Sequence, residues 1–383
     1  VSEMNGPTTQ RNGFLDGLRG WAAIMVLLAH LIRGVASTAA PALNKPFLLF
    51  PTDGDFAVYV FFVVSGFALS WQYFSTKSVK SLTSLAVKRY PRLTLPILAS
   101  SLIGFLVWRS GLMFNHAAAA AVNSPWLDSA YGFTASFVDC LKFALFDVFF
   151  NYDPQHSYNG VLWTMSIELY GSMLVVGLLA VFGVSNRVIA YLGAALVCAL
   201  INSPLLAFVF GIVIADTYHA RSRLRSVLES VAPYLAVLTL IGCVAASIYT
   251  PYPRDARFLS MLAAFSVLSV SFCAPARRVF EWPISRSLGH ISFPLYLTHM
   301  FVLLSFTSWF FLTLESHGLG KQAAANYVVM ATVPLCLLGA IAFLPVESAS
   351  IRLSRWFSRV CLARDVGVLN PSRAAASETK GRP

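Results

Sequence analysis

The sequence predicts an all-α polytopic membrane protein of about ten transmembrane helices, with both termini in the cytosol. Three observations carry that prediction. Of 383 residues, 57% are hydrophobic and only 12% charged, with a mean hydropathy of +0.68, an apolar excess that suits lipid rather than water as the surrounding solvent. Apolar runs of spanning length recur at about 18–36, 56–75, 93–110, 160–182, 187–201, 204–220, 231–250, 256–274, 289–312 and 323–345. The net charge of +11 sits in alternate connections, and with the N-terminus inside roughly three-quarters of all Lys and Arg become cytosolic. That alternation assigns the positive charge to topology and membrane lipids and excludes nucleic acid as its partner.

In chain order, residues 1–13 are polar, and the apolar stretch that follows lacks a small-residue cleavage site, so it reads as a retained first span rather than a secretory signal. Residues 14–346 form a single transmembrane domain. Its first span carries the most informative pair, Arg19 and His30, eleven residues apart around GWAAIMVLLA. At 100° per residue that spacing returns to within about 20° of the same face, about 16 Å further along the helix. The arginine then lies near one interface and the imidazole at bilayer depth, where ionisable groups usually mark function. Asp16 lies one turn before Arg19, where it either orients the guanidinium or serves as an ordinary helix-start carboxylate.

The second span, GDFAVYVFFVVSGF, begins at Asp55, near the outer interface, and ends in Ser65 and Gly66, small residues that favour close helix packing. The third is entered through KRYPRLTLP, where Arg89 and Arg92 share a helical face and Pro91 and Pro96 are expected to break or bend the entry. Two guanidiniums there are topology signals, lipid contacts or a bidentate site for phosphates. The outward connection 111–159 is rich in aromatics and carries Asp128, Asp139, Asp147 and Asp153. It reads as an acceptor platform or a folded cap, with an interfacial or re-entrant helix from Phe137 to Phe150.

The fourth span places Glu168 about eight residues into LWTMSIELYG, where an unpartnered carboxylate is costly. It is expected to stay protonated, to pair with Arg19 or His30, or to orient an imidazole. In HISFPLYLTHM, Ser292, Tyr296 and His299 follow at steps of four and three and share one face, suggesting a lined cavity. Residues 347–365 read as a basic amphipathic helix on the inner leaflet and 366–383 as a disordered tail. Six scattered cysteines give neither a disulfide framework nor metal-ligand spacing, so no metal is indicated.

Taken together, FLDGLRGWAAIMVLLAH, FFVVSGF, KRYPRL, LWTMSIE and SFPLYLTH, in that order over about residues 12–346, resemble the signature blocks of the acyltransferase-3 family of integral-membrane acyltransferases. The resemblance implies transfer of an acyl group, commonly acetyl, from cytosolic acyl-coenzyme A to a hydroxyl of a glycan, glycolipid or small secondary metabolite. The donor is a substrate, and no permanently bound cofactor is expected. Arg19, Arg89 and Arg92 would hold the donor's phosphates. His30 would act as general base or as acyl carrier, and Glu168 would support it. Asp16, Ser292, Tyr296 and His299 are the further cavity candidates. The competing class is a proton-coupled transporter or exporter using His30, Glu168 and Arg19; the sequence shows no inverted repeat to support it.

Overall fold

The computed structural model describes residues 13–220, 222–250 and 253–368, and these residues are predominantly helical, without strands. Seven helices are long and apolar enough to cross a membrane. They are α1 (Gly13–Ala39), α2 (Pro46–Thr76), α3 (Val79–Arg109), the helix Gly160–Phe182, the helix Arg223–Tyr249, the helix Pro283–Ser316, and a last one whose apolar part is Lys321–Leu362. An eighth, Ala256–Phe272 with Ala274–Phe280, is bent by 101° at Cys273, just before Pro275. Two shorter apolar helices, Arg187–Leu200 and Leu205–His219, complete the set. Each of the ten apolar runs is thus a helix, but seven or eight, rather than ten, have the length of a span. The chain is an integral, multi-pass membrane protein.

Close packing around α1 depends on small residues. A Cβ on Gly20 would lie 2.5 Å from the backbone nitrogen of Gly289, so only glycine lets α1 meet the helix Pro283–Ser316 at this point. Gly66 on α2 makes the same approach to the Phe208 backbone. Around this centre, Gly160–Phe182 packs on α2 and α3, and the last helix packs on α3 and on Pro283–Ser316. Arg187–Leu200 and Arg223–Tyr249 lie outside and expose Val188, Leu192, Leu196, Leu238 and Ile241, apolar side chains suited to lipid.

Three expectations are narrowed by the structure. Pro91 and Pro96 do not break the entry to the third span: α3 runs unbroken from Val79 to Arg109, since membrane helices tolerate proline where neighbours satisfy the freed backbone. The segment 347–365 is not a separate helix. It continues the last span as one 48-residue helix, Lys321–Val368, held against α3 by Arg92 on Glu347 and Ser84 on Ser358. Residues 366–368 of the proposed disordered tail belong to that helix, and the remainder of the tail, like residues 1–12, lies outside the described residues.

The connection 111–159 is a folded cap over one end of the bundle. It contains the helices Asn115–Val122, Pro125–Asp128 and Phe137–Lys142, the last running on through a π turn to Val148–Phe150. Phe137, Val138, Phe146 and Phe150 remain exposed, as an interfacial helix requires. Ser124 donates to the Gly34 carbonyl at 2.7 Å and pins the cap to α1.

Candidate active site

Two cavities lie one beyond the other along α1. The inner, of about 220 Å³, is lined by Arg19, Ser65, Arg89, Arg92, Glu168 and a wall of Val58, Phe61, Phe293 and Tyr296. The outer, of about 290 Å³, is lined by His30, Arg33, Asp55, Trp126 and Trp163, and again by Val58 and Tyr296. Those two residues therefore form the partition between the cavities. Tyr296 is fixed there by donating to the Val161 carbonyl at 2.8 Å and by a 2.8 Å contact with the Thr164 hydroxyl. The eleven-residue spacing does what helix geometry requires: Arg19 opens into one cavity and His30 into the next.

Inside the inner cavity the guanidiniums are held by carboxylates. Arg89 is ion-paired with Glu168, its Nε donates to Ser172 at 2.5 Å, and Ser65 donates to Glu168 at 2.8 Å. Arg92 reaches Glu347 at 2.8 Å and Ser350 at 3.2 Å on the last helix. Arg19 differs: its Nε is buried with no hydrogen-bond partner among the described residues. A buried donor of this kind is costly until a ligand accepts from it.

Two histidines from distant parts of the chain meet beside the outer cavity. His30 Nδ1 lies 3.0 Å from His299 Nε2, and His299 Nδ1 lies 2.9 Å from the Leu295 carbonyl oxygen. A carbonyl only accepts, so His299 Nδ1 carries the hydrogen and its Nε2 presents a lone pair. His30 Nδ1 must then be the donor to that lone pair. This leaves His30 Nε2 without a hydrogen, available as a proton acceptor.

Both histidine helices change pitch at this level. Ala29–Ala36 and Leu303–Thr307 are π-helical, a local widening found disproportionately at functional sites. Trp126 of the cap stacks on His30 with ring centres 5.3 Å apart and planes 14° from parallel. The mouth of the outer cavity is braced by Arg33, which donates to Thr52 and the Leu49 carbonyl at 2.9 Å each. Asp53, joined to Arg254 and Ser247, ties the same rim to the helix Arg223–Tyr249.

A model of a protein family described as an acyltransferase domain, Acyl_transf_3, matches residues 12–346. The chain belongs to the acyltransferase-3 family. No curated protein and no solved structure matches it.

Membership of the acyltransferase-3 family implies an acyl donor and a hydroxyl acceptor in a membrane. Against that background the site residues read from the sequence separate into groups. Arg19, Arg89, Arg92 and Glu168 share the inner cavity, His30 faces the outer one, and Tyr296 touches both. Glu168 does not line the cavity of His30; its oxygen is taken by Arg89 and Ser65, because Gly160–Phe182 packs against α2 and α3 at that depth. The partner of His30 is instead His299. Ser292 lines neither cavity, and its hydroxyl is spent on the Gly289 carbonyl one turn back. Asp16 lines neither cavity and packs its backbone against Gly289.

Sequence reasoning treated Ser65 and Gly66 alike as packing residues; the structure keeps that role for Gly66 and gives Ser65 a polar one. Arg33, Trp126 and Trp163 were passed over entirely, and Asp55 was noted without being placed in a site. For two of them position was the available signal: Arg33 lies one turn beyond His30, and Trp163 stands at the head of the Glu168 helix.

Proposed function

We propose that this protein is an O-acyltransferase moving an acyl group, acetyl in the simplest case, from acyl-coenzyme A to a hydroxyl of a glycan, glycolipid or small secondary metabolite. The observation that carries the reading is the hydrogen-bond sequence from the Leu295 carbonyl through His299 to His30, which leaves the His30 Nε2 lone pair free beside a cavity of substrate size. The inner cavity supplies the complementary chemistry, three guanidiniums for an anionic donor.

Donor phosphates are held by Arg19, with Arg89 and Arg92 beside it, on the side of the membrane where α3 begins. The thioester extends to the partition at Val58 and Tyr296. The acceptor enters the outer cavity, lies against Trp126 and Trp163, and gives hydrogen bonds to Asp55. His30 Nε2 removes the hydroxyl proton as the oxygen attacks the thioester carbon. The tetrahedral intermediate collapses with cleavage of the C–S bond, and the departing thiolate takes the proton back from His30, so that the products are an ester and free coenzyme A. Throughout, His30 Nδ1 keeps its bond to His299, which stabilises the imidazolium formed halfway. In the acyl-carrier variant, Nε2 itself attacks the thioester carbon and the C–S bond breaks to release coenzyme A as the thiolate; the acceptor oxygen then attacks the acyl carbon, the bond to Nε2 breaks, and the hydroxyl proton passes to the thiolate.

The test is to incubate purified protein with radiolabelled acetyl-coenzyme A and hydroxyl-bearing acceptors. Label should appear in an alkali-labile ester with the wild type and not with His30→Ala; label trapped on His30 would identify the carrier variant. Full turnover in folded His30→Ala protein refutes the assignment, and uptake into vesicles without consumption of coenzyme A would identify a transporter.

A further inference from the structure

A third cavity, of about 540 Å³, lies apart from both of these, between the first turns of α3 and the far end of the last helix. Its lining is Lys88, Arg355 and Arg359 with the hydroxyls of Ser84 and Ser358, which are 3.3 Å apart. No carboxylate lines it among the described residues, and Lys88 and Arg355 repel each other across it. Three cations converging without a counter-ion, with two hydroxyl donors between them, make a site for a phosphate ester.

Its depth selects the source of that phosphate. At 1.5 Å per residue the 31-residue α3 is about 46 Å long, against about 30 Å of hydrocarbon, so its first turns reach the headgroup layer. On the opposing helix Leu353, Trp356, Phe357 and Val360 are exposed beside the arginines, an apolar and aromatic surface suited to the membrane interface. We infer that this cleft binds the headgroup of an anionic phospholipid and thereby clamps the two helices that carry Arg92 and Glu347.

The test uses the full chain in detergent with added phosphatidylglycerol or phosphatidylcholine, read by native mass spectrometry. Wild type should retain phosphatidylglycerol and not phosphatidylcholine. The triple variant Lys88→Gln, Arg355→Gln, Arg359→Gln should lose retention by on the order of a hundredfold, each cation near an anionic lipid contributing roughly fivefold. Arg359→Gln alone, at an exposed position, should lose roughly fivefold and gives a readout should the triple variant fold poorly. Arg223→Gln, which removes an exposed cation elsewhere, should change nothing. Equal phosphatidylglycerol retention by the triple variant, equal retention of the two lipids by wild type, or displacement of the lipid by adenosine 3′,5′-bisphosphate would overturn the inference; the last would make the cleft a nucleotide site.

Discussion

The inner and outer cavities share a wall yet hold their polar groups in opposite ways. In the inner one, Arg89 and Arg92 are locked by Glu168 and Glu347 on two other helices, so α3 is bolted to two of its neighbours by ion pairs. In the outer one the central contact is imidazole to imidazole, fixed by a backbone carbonyl, and one side is closed by a tryptophan from the short cap helix Pro125–Asp128. The first arrangement presents fixed positive charge with little freedom to move. The second presents a proton acceptor and an adaptable aromatic face. In the proposed mechanism, binding of the anionic donor and transfer of the proton therefore rest on separate supports that share Val58 and Tyr296.

The sharpest way to break that separation is at His30. His30→Ala should lower kcat by about 10²–10⁴-fold, the usual worth of a general base, and leave the KM for acyl-coenzyme A unchanged. Steady-state kinetics in both substrates check this, and a raised donor KM would mean that the two cavities do not divide the work as described.

His299 should follow. His299→Phe removes the lone pair that fixes His30 with its hydrogen on Nδ1, and kcat should fall by at least about tenfold; misplacing the tautomer costs about 10⁴-fold in a Ser-His-Asp triad. His299→Gln, whose side-chain oxygen can accept from His30 Nδ1, should recover part of the loss. A purely structural role for His299 would show as lowered thermal stability with kcat per folded molecule unaltered, and with no advantage of Gln over Phe.

On the inner side Arg19 is a cleaner probe than Arg89. Deleting Arg89 strands Glu168, whose side chain is only 14% exposed, and loss of one partner from a buried pair costs about 3–5 kcal/mol of stability. Arg19 Nε has no partner to strand. Arg19→Gln should therefore raise the KM for acyl-coenzyme A by about tenfold, the equivalent of one weak charge-assisted hydrogen bond, with kcat nearly intact. Unchanged donor KM would remove Arg19 from the binding role.

The contrast also explains what could be read in the sequence. The spans were legible because lipid demands long apolar runs, and the Arg19–His30 axis was legible because both residues lie on one helix of known pitch. The partner of Glu168 was not: the sequence offered Arg19 or His30, and only the packing of Gly160–Phe182 against α3 brings it to Arg89. The His30–His299 contact joins residues 269 positions apart, and their ring nitrogens can be assigned only once the Leu295 carbonyl is seen. Trp126 was hidden for a different reason: the four-residue helix Pro125–Asp128 is too short for periodicity to show which way it faces, and Gly34, whose absent side chain admits the ring, looks like any small residue of a membrane helix.

That glycine gives the smallest and most selective perturbation. A Cβ on Gly34 would stand 2.6 Å from Trp126 Cε3, too close for both to stay in place. The cap is held at this point by Ser124 on the Gly34 carbonyl, so the backbone contact can persist while the indole ring tilts away from His30. Neither residue lines the inner cavity. Gly34→Ala should therefore raise the KM for the acceptor by about threefold to tenfold, the range expected from a partly lost aromatic contact of about 0.5–1.5 kcal/mol. The donor KM should stay constant, and tryptophan fluorescence should report the altered ring environment. A shift in donor KM of the same size would mean that the partition at Val58 and Tyr296 transmits the displacement, and that the two cavities act as one.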